Sequence, residues 1–587
     1  MIVPMKKATL LVLPKEERRA VKRLRQLGVL HVQPVQPPKS GDLDDLKARL
    51  DRAEKAMIVL GETEPVSKPE DVPGEETVNR IIELSEEREV LTPQLEEAQK
   101  TREWFDVWGE VTLDSVQILR EAGVTVRCYR LDRNALKSVP EETNLQILGE
   151  ERGVVYAVLF ARSEEEKLEF KEDVMPQARV SELDERIRSF RTRIEKIDRE
   201  IQSCVNQKPV IRATIESLQK DLEYHRVLAG AGVSEHVVFL QGFLPVDAVP
   251  SLEKAAENQG WGLVLEEPED PSEVPTLLRN SKIPRIIEPL FRFMGTLPGY
   301  HEIDVSFVFL FFFSVFYAMI IGDAGYGLVF LAGTAWFRSK HKNAPFEPFA
   351  LFYVLSVATI LWGLLTGTWF GSRAIAEWPP LHRFVIEPMF SFNQSKEATF
   401  FMMRFAFILG LAQLIIAHFL ASLKKWPSLK AVAEWGWMLI CGGIFFVVDL
   451  LVLNHPMPGF AIALIIAGLF IVGVFTNFQK NPLKMAGSFI GSILNSIQSV
   501  ISSFSDIVSY IRLFAVGLAS VTVAASFNEM ANGIFAPVVL VLGHGLNIVL
   551  GMMSVMVHGV RLNMLEFSSH LGQEWSGNPY RPFKEES

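Results

Sequence analysis

The chain has 587 residues but only three cysteines, Cys128, Cys204 and Cys441, and they are far apart. It contains no CxxC pair and no Cys/His run, so the sequence itself indicates neither a zinc site nor a disulfide framework. A reducing compartment for the polar half fits that scarcity. A secretory leader is also missing. The start, MIVPMKKATLLVLPKEERRA, has a short apolar run that charge interrupts, and no cleavage site. The polar half is therefore expected on the cytosolic side. No long basic stripe is present, which argues against a nucleic-acid partner. GxxxxGK[ST], GxSxG and HExxH are all absent, so no nucleotide hydrolysis by the chain itself and no cofactor are expected.

What the chain does have is a split composition. Up to about Leu297 it is dense in charge, and most of the net −10 lies there. From Val305 to Leu571 it is mostly Phe, Leu, Ile, Val, Ala and Gly. This second half reads as eight spans near the ~20 residues a bilayer core requires. They run 305–321, then after a turn at Gly322–Gly325 to 337, then 349–370, 401–423, 432–453, 460–478, 497–527 and 538–567. The last two are long enough to tilt or project. Loops after spans two, four and six read RSKHKNA, SLKKWPSLK and FQKNPLK, whereas GDAG, NHPMPG and FNEMANG carry no Lys or Arg. That is the positive-inside pattern, with both termini in the cytosol.

Arg512 lies within SDIVSYIRLFAVGLAS and Arg561 within GMMSVMVHGVRLNMLEF. A guanidinium at membrane depth costs about 3 kcal/mol on insertion scales and ~10 or more in simulations. It also stays charged at ordinary pH. Two of them point to a fixed positive gate beside an ion route; snorkelling to an interface is the plainer alternative. In the last span His544, Asn547, Gly551, Ser554, His558 and Arg561 recur three or four apart, one stripe of a helix. Such a stripe faces protein, water or a passing charge, or is a packing seam of small residues. In span seven Ser502, Ser505, Ser509, Arg512 and Ala519 share a face. Asp506 lies on the cytosolic side of Arg512, and Glu566 lies beyond Arg561. Glu529 marks the outer end of span seven, and Gln413, His418, Glu434 and Asp449 add polar groups to spans four and five.

The charged half opens as strand, amphipathic helix, Gly stop and strand, in KATLLVL, EERRAVKRLRQLG and VLHVQPV. Leu46, Leu50, Ala53, Met57 and Leu60 repeat at three and four, as do Ile81, Leu84, Leu91, Leu95 and Ala98, with Arg88 breaking that seam. Leu183, Ile187, Phe190, Ile194, Ile197 and Ile201 repeat likewise, and Ile211, Ile215, Leu218 and Leu222 resume after Pro209. Sustained periodicity of this kind predicts a coiled coil. VTVRCYRL and VVYAVLFAR between the arms, and HVVFLQGFLP and WGLVLEE after them, read as strands. The fold class expected is an α+β cytosolic half, two α/β lobes joined by an antiparallel coiled-coil rod, plus an all-α polytopic half. Its parts are a proximal lobe (1–40 and 229–300), an outgoing arm (41–112), a distal lobe (113–178), a returning arm (179–228), a membrane domain (301–571) and a cytosolic tail (572–587).

GFLPVDAVPSLEKA, LPGYHEIDVSFVFLFFFSVFYAMIIGDAGYG, SYIRLFAVGLA and HGVRLNMLEF resemble segments of subunit I (subunit a) of the archaeal and bacterial V/A-type rotary ATPases. The order of parts matches over nearly the whole chain. It departs at Val305-Ser306, where the family usually has Pro-Thr. The resemblance implies a non-catalytic, ion-translocating stator in a prokaryotic plasma membrane, with an arginine gate at Arg512 and Arg561. His558 and Ser554 would position or hydrate the partner carboxylate. Asp506 and Glu566 would serve the cytosolic half-channel, and Glu529 and His544 the outer one. The implied partners are a rotor ring of proteolipid c/K subunits and peripheral-stalk subunits E and G at the cytosolic lobes. Through the complex they extend to the central stalk and to catalytic subunits A and B. No metal is implied, and H⁺ and Na⁺ both stay open. A stand-alone transporter or channel with a cytosolic coiled-coil sensor is the competing reading, and a rotary stator differs from it in moving no ions without its ring.

Overall fold

The computed structural model describes residues 1–585 except 66, 69–71, 110, 112, 141–142, 152, 164–165, 235, 394, 477, 479–481 and 532. The outgoing arm's expected end at 112, and most of the basic loop FQKNPLK, lie outside the described residues. The chain divides into two compact units. One holds Met1–Val12, Leu24–Gln33 and Leu240–Glu586, and the other Leu13–Arg23 and Pro34–Phe239.

In the second unit four helices carry the periodic apolar positions: α1 (Gly41–Val59), α2 (Gly74–Trp108), α3 (Val180–Ser203) and α4 (Lys208–Ala229). α1 packs on α4 and α2 on α3. Leu46, Leu50, Ala53, Leu60, Ile81, Leu84, Ile197, Ile201, Ile211 and Leu218 are buried together. Arg88, the break in the seam, reaches across to Asp198 at 3.2 Å, and Arg193 forks onto Glu87 at 2.6 and 2.5 Å. Pro209 sits in the first turn of α4, where its missing N–H has no partner to lose. A separate sheet joins β1 (Thr125–Asp132), β2 (Leu145–Glu151) and β3 (Val154–Ala161) in the order β1-β3-β2, all antiparallel. Burial pushes the Cys128 thiol in this sheet up to about 12, leaving it an apolar packing group.

In the first unit the amino-terminal strand Met5–Val12 pairs antiparallel with Gly262–Glu266, and His31–Gln33 pairs with Val238–Pro245. The C-terminal tail joins the same lobe. Thr276 N donates to Asn578 O at 2.7 Å, Gly577 N to Leu297 O at 3.0 Å and Phe583 N to Leu30 O at 2.8 Å. Arg581 N donates to His31 Nδ1 at 3.0 Å, and burial holds that imidazole below its ordinary value. Phe583 and Leu30 are buried.

The apolar half is helical: α5 (Ser306–Ile321), α6 (Ala324–Lys340), α7 (Phe346–Thr366), α8 (Lys396–Lys425), α9 (Lys430–Leu453), α10 (Phe460–Phe475), α11 (Pro482–Ser509), α12 (Ile511–Met530) and α13 (Ala536–Ser554). Among the described residues five helical stretches are long and apolar enough to cross a bilayer, or six if the bent pair α5–α6 counts as one. α5 and α6 diverge by 119° at the Gly322–Gly325 turn, and α10 is shorter than a full span. Asp323 fixes that turn by accepting from the amides of Gly325 (2.7 Å), Tyr326 (3.3 Å), Phe370 (2.8 Å) and Gly371 (2.9 Å). Gly322 at φ 71° supplies the left-handed residue that ends α5.

The final helix differs from a uniform α-helix. After Ser554 it passes through two π segments, Val555–Gly559 and Leu562–Phe567, before a last α turn, Ser568–Leu571. Each wide turn rotates the downstream residues off the α-helical stripe. His544, Asn547 and Gly551 turn inward, while Arg561 comes out on the exposed side with Met553, Val557 and Leu565.

Candidate functional site

Two polar clusters lie inside the apolar half, and a third lies near the Asp323 turn. The first forms where span seven breaks. Tyr510 separates α11 from α12, so Arg512 is in the first turn of the second piece. Its Nε donates to Ser509 O at 2.9 Å, capping the end of α11, and its Nη2 donates to Glu566 Oε1 at 2.8 Å. Arg561 Nε lies 3.5 Å from the same oxygen, and Ser509 Oγ lies 3.4 Å from it. The Glu566 side chain is 4% exposed, Arg512 23% and Arg561 53%. Glu566 Oε2 is buried without a hydrogen-bond partner, so the carboxylate has an unused acceptor beside two guanidinium groups. Below the cluster Tyr510 donates to Gln413 Oε1 at 2.6 Å, Gln413 donates to Asn563 at 2.8 Å, and Asn563 Nδ2 donates to Gly559 O at 3.2 Å. That buried chain ties the break in span seven to the π segments of span eight.

The second cluster links α8, α9, α11 and the last turn. Glu434 Oε1 accepts from Lys425, and Glu434 Oε2 lies 2.7 Å from His418 Nδ1. His418 Nε2 meets His570 Nδ1 at 2.9 Å, and His570 Nε2 meets Asp506 Oδ2 at 3.0 Å. Trp437 stacks on His418. A cavity of about 530 Å³ adjoins it, lined by His418, Glu434, Ser502, Asp506 and His570 among others.

The third network joins α6, α12 and α13. Tyr326 OH contacts His544 Nδ1 at 2.7 Å and accepts from Asn547 Nδ2 at 3.0 Å, and His544 Nε2 contacts Asn528 Oδ1 at 3.1 Å. Nearby, α7, α8 and α12 enclose a cavity of about 270 Å³ lined by Thr366, Ser391, Asn393, Thr399 and Thr522, and it reaches Leu513, next to Arg512.

Of the residues singled out in the sequence, Arg512, Arg561 and Glu566 come together. Asp506 joins the histidine cluster instead. His558 is half-buried with Nδ1 unpartnered, and Ser554 precedes the first π segment without a side-chain capping bond. Glu529 is exposed at the end of α12. Sequence reasoning missed Tyr510, Asn563, His570, Tyr326 and Asn528. Of these, His570 carried a signal, four residues beyond Glu566 at the end of the same helix.

A charge-dense part with two sheets and an apolar part whose described residues include five helical stretches long and apolar enough to cross a bilayer define a polytopic membrane protein. No protein-family model matches the chain. It is 32% identical over its full length to "V-type ATP synthase subunit I 1" of Treponema pallidum, covering all of that protein. It is 32% identical over its full length to "V-type ATP synthase subunit I" of Borreliella burgdorferi, covering 99% of it. It is 25% identical over 60% of its length to "A-type ATP synthase subunit I" of Methanocaldococcus jannaschii, covering 56% of that protein. The chain belongs to the subunit I family of V-type and A-type ATP synthases. A superposition on the crystal structure of the cytoplasmic N-terminal domain of subunit I covers 44% of this chain, at 20% identity and a TM-score of 0.27, too low to add to the argument.

Proposed function

We propose that the chain is the membrane stator of a rotary ATPase, with an arginine gate at Arg512 and Arg561 between two ion half-channels, coupling H⁺ or Na⁺ movement to ATP hydrolysis or synthesis. The observation that carries this is the convergence of both arginines on one buried, half-satisfied carboxylate beside the most exposed helix of the bundle. Only 11% of the apolar window of the last helix is buried, against 39–50% in the other four long ones. An apolar face that open, with a guanidinium set in it, suits a partner that brings its own carboxylate.

A ring carboxylate in lipid is neutral, because burying its charge is too costly. Opposite Arg512 and Arg561 it ionises, since nearby positive charge favours the anion. Glu566 then acts as the resident counter-ion. It holds the arginines between visits and exchanges with the incoming carboxylate. The 530 Å³ cavity with Asp506 and His570 supports an inner half-channel, and the 270 Å³ cavity beside Leu513 supports an outer one. His544 borders the outer side, where Glu529 would meet solvent. His558 and Ser554 flank the gate on the π-helical side.

The tail pairs with the amino-terminal lobe, so the two would lie on one side of the bilayer. This supports an even number of crossings and the eight-span reading, with both ends in the cytoplasm of a prokaryote. The ring of c/K subunits would pack on the last two spans, and stalk subunits E and G on the cytoplasmic lobes. Subunits A and B would supply the nucleotide chemistry. The test is Arg512→Gln in the assembled complex reconstituted into liposomes. ATP-driven ion uptake is expected to vanish while the complex stays assembled; normal uptake would refute the gate.

A further inference from the structure

The histidine cluster holds a hydrogen-bonding puzzle. His418 Nδ1 faces Glu434 and His570 Nε2 faces Asp506. A carboxylate only accepts, so both outward ring nitrogens carry N–H. In neutral imidazoles the two inward nitrogens, His418 Nε2 and His570 Nδ1, are then both lone pairs, and they stand 2.9 Å apart. Two lone pairs do not approach that closely without a cation between them. The smallest such cation is a proton shared by the pair.

A third donor is at hand. The buried Cys441 Sγ and the two imidazole ligand atoms all lie within 4.8 Å of one another. Two histidines and a cysteine are a ligand set for zinc-class ions, and a tetrahedral ion ~2.0 Å from each nitrogen separates them by about 3.3 Å. The pair has only a few tenths of an ångström to open. The outward nitrogens already make the contacts such sites require, each ring held by a carboxylate that fixes its tautomer and raises its basicity. The adjoining 530 Å³ cavity leaves room for water as a fourth ligand.

We propose that His418 Nε2, His570 Nδ1 and Cys441 Sγ bind one soft divalent cation of the zinc class, and that its occupation closes the inner ion path. The closure rests on the translocation reading above; the site does not. Binding forms two metal–nitrogen bonds and one metal–sulfur bond. It releases the shared proton and the thiol proton. The cluster's charge is unchanged, because a dication plus a thiolate replaces one proton. The environment set by Glu434, Asp506 and Lys425 therefore suits both occupants, and the two compete for one place.

Co²⁺ titration of the purified full-length chain in detergent tests the site. One equivalent is expected to give a thiolate-to-cobalt charge-transfer band and the visible bands of tetrahedral cobalt, both erased by Zn²⁺. Cys441→Ser should remove the charge-transfer band. His570→Gln, which keeps a polar side chain of similar length, should weaken binding at least tenfold. Glu434→Gln should weaken it by about 10–100-fold, as loss of an orienting carboxylate does. A charge-transfer band that survives Cys441→Ser, or octahedral cobalt without one, would overturn the site. In the reconstituted complex Zn²⁺ should inhibit ATP-driven ion uptake in the wild type and far less in Cys441→Ser. Equal inhibition in both, or none in the wild type, would overturn the closure. Uptake that persists in Arg512→Gln would refute the translocation reading and leave the cobalt result standing.

Discussion

The membrane half contains two buried polar clusters built on opposite principles. Around Glu566 the cations are guanidinium groups that never lose their protons, and only the carboxylate partner can change. Around His418 and His570 the polar groups are two imidazoles and two carboxylates, with Lys425 at the edge, and each imidazole nitrogen can donate or accept. The first cluster opens onto the exposed face of the last helix through Arg561, 53% exposed. The second opens onto a cavity that neither arginine lines. On the proposed function, the fixed charge would refuse ions passage and the histidine cluster would hand them on.

That contrast can be broken in stages. The largest effect is expected from Arg512→Lys, which keeps the charge but loses the planar fork that reaches both Ser509 O and Glu566. Coupled ion uptake should fall to background despite normal complex assembly on a native gel. His570→Ala is next. Losing a positioned proton carrier should slow uptake by about 100-fold. Added imidazole should restore part of it through the cavity, whereas the same imidazole should do nothing for an arginine variant. Rescue of both would erase the distinction. Glu566→Gln removes the carboxylate that holds both arginines, and on the proposed function uptake should slow by about tenfold, ~1.4 kcal/mol on the barrier. The smallest change is expected from Arg561→Ala. Its exposure and 3.5 Å contact make it worth about as much as a surface ion pair, roughly fivefold or less. A loss as deep as that of Arg512 would show that a partner surface desolvates Arg561 as well.

The helices of the membrane half were legible because apolar runs and Gly-Asp-Ala-Gly punctuation are local properties. Ser306–Ile321 and Lys430–Leu453 fall within two residues of where the runs place them. The arm positions Leu46 to Leu218 were legible for the same reason, since periodicity reports one buried face. The strand Leu145–Glu151 was not read. Its register slips between Ile147 and Gly149, which destroys the alternation that marks a strand. The stripe in the last helix was read too simply. A strict α-helical projection keeps His544 and Arg561 on one line, but the π segment Val555–Gly559 intervenes, and nothing in VMVHG announces a wider turn. The pairing of Arg512 with Glu566 crosses from one helix to another, and that of His418 with His570 spans 152 positions. Residue type marked the first pair as costly enough to need partners, but only packing could name them.

The tail that lies along the amino-terminal lobe has a consequence for biosynthesis. Leu30 precedes the apolar helices in the chain and leaves the ribosome before them, and Phe583, whose amide it receives, leaves after them. The lobe therefore waits, its surface incomplete, until every membrane helix has been delivered. Completion of that lobe therefore follows delivery of the apolar helices. A chain ending after Leu571 should insert its helices yet leave residues 1–33 open to protease, and equal protection with and without the tail would show that the lobe closes unaided.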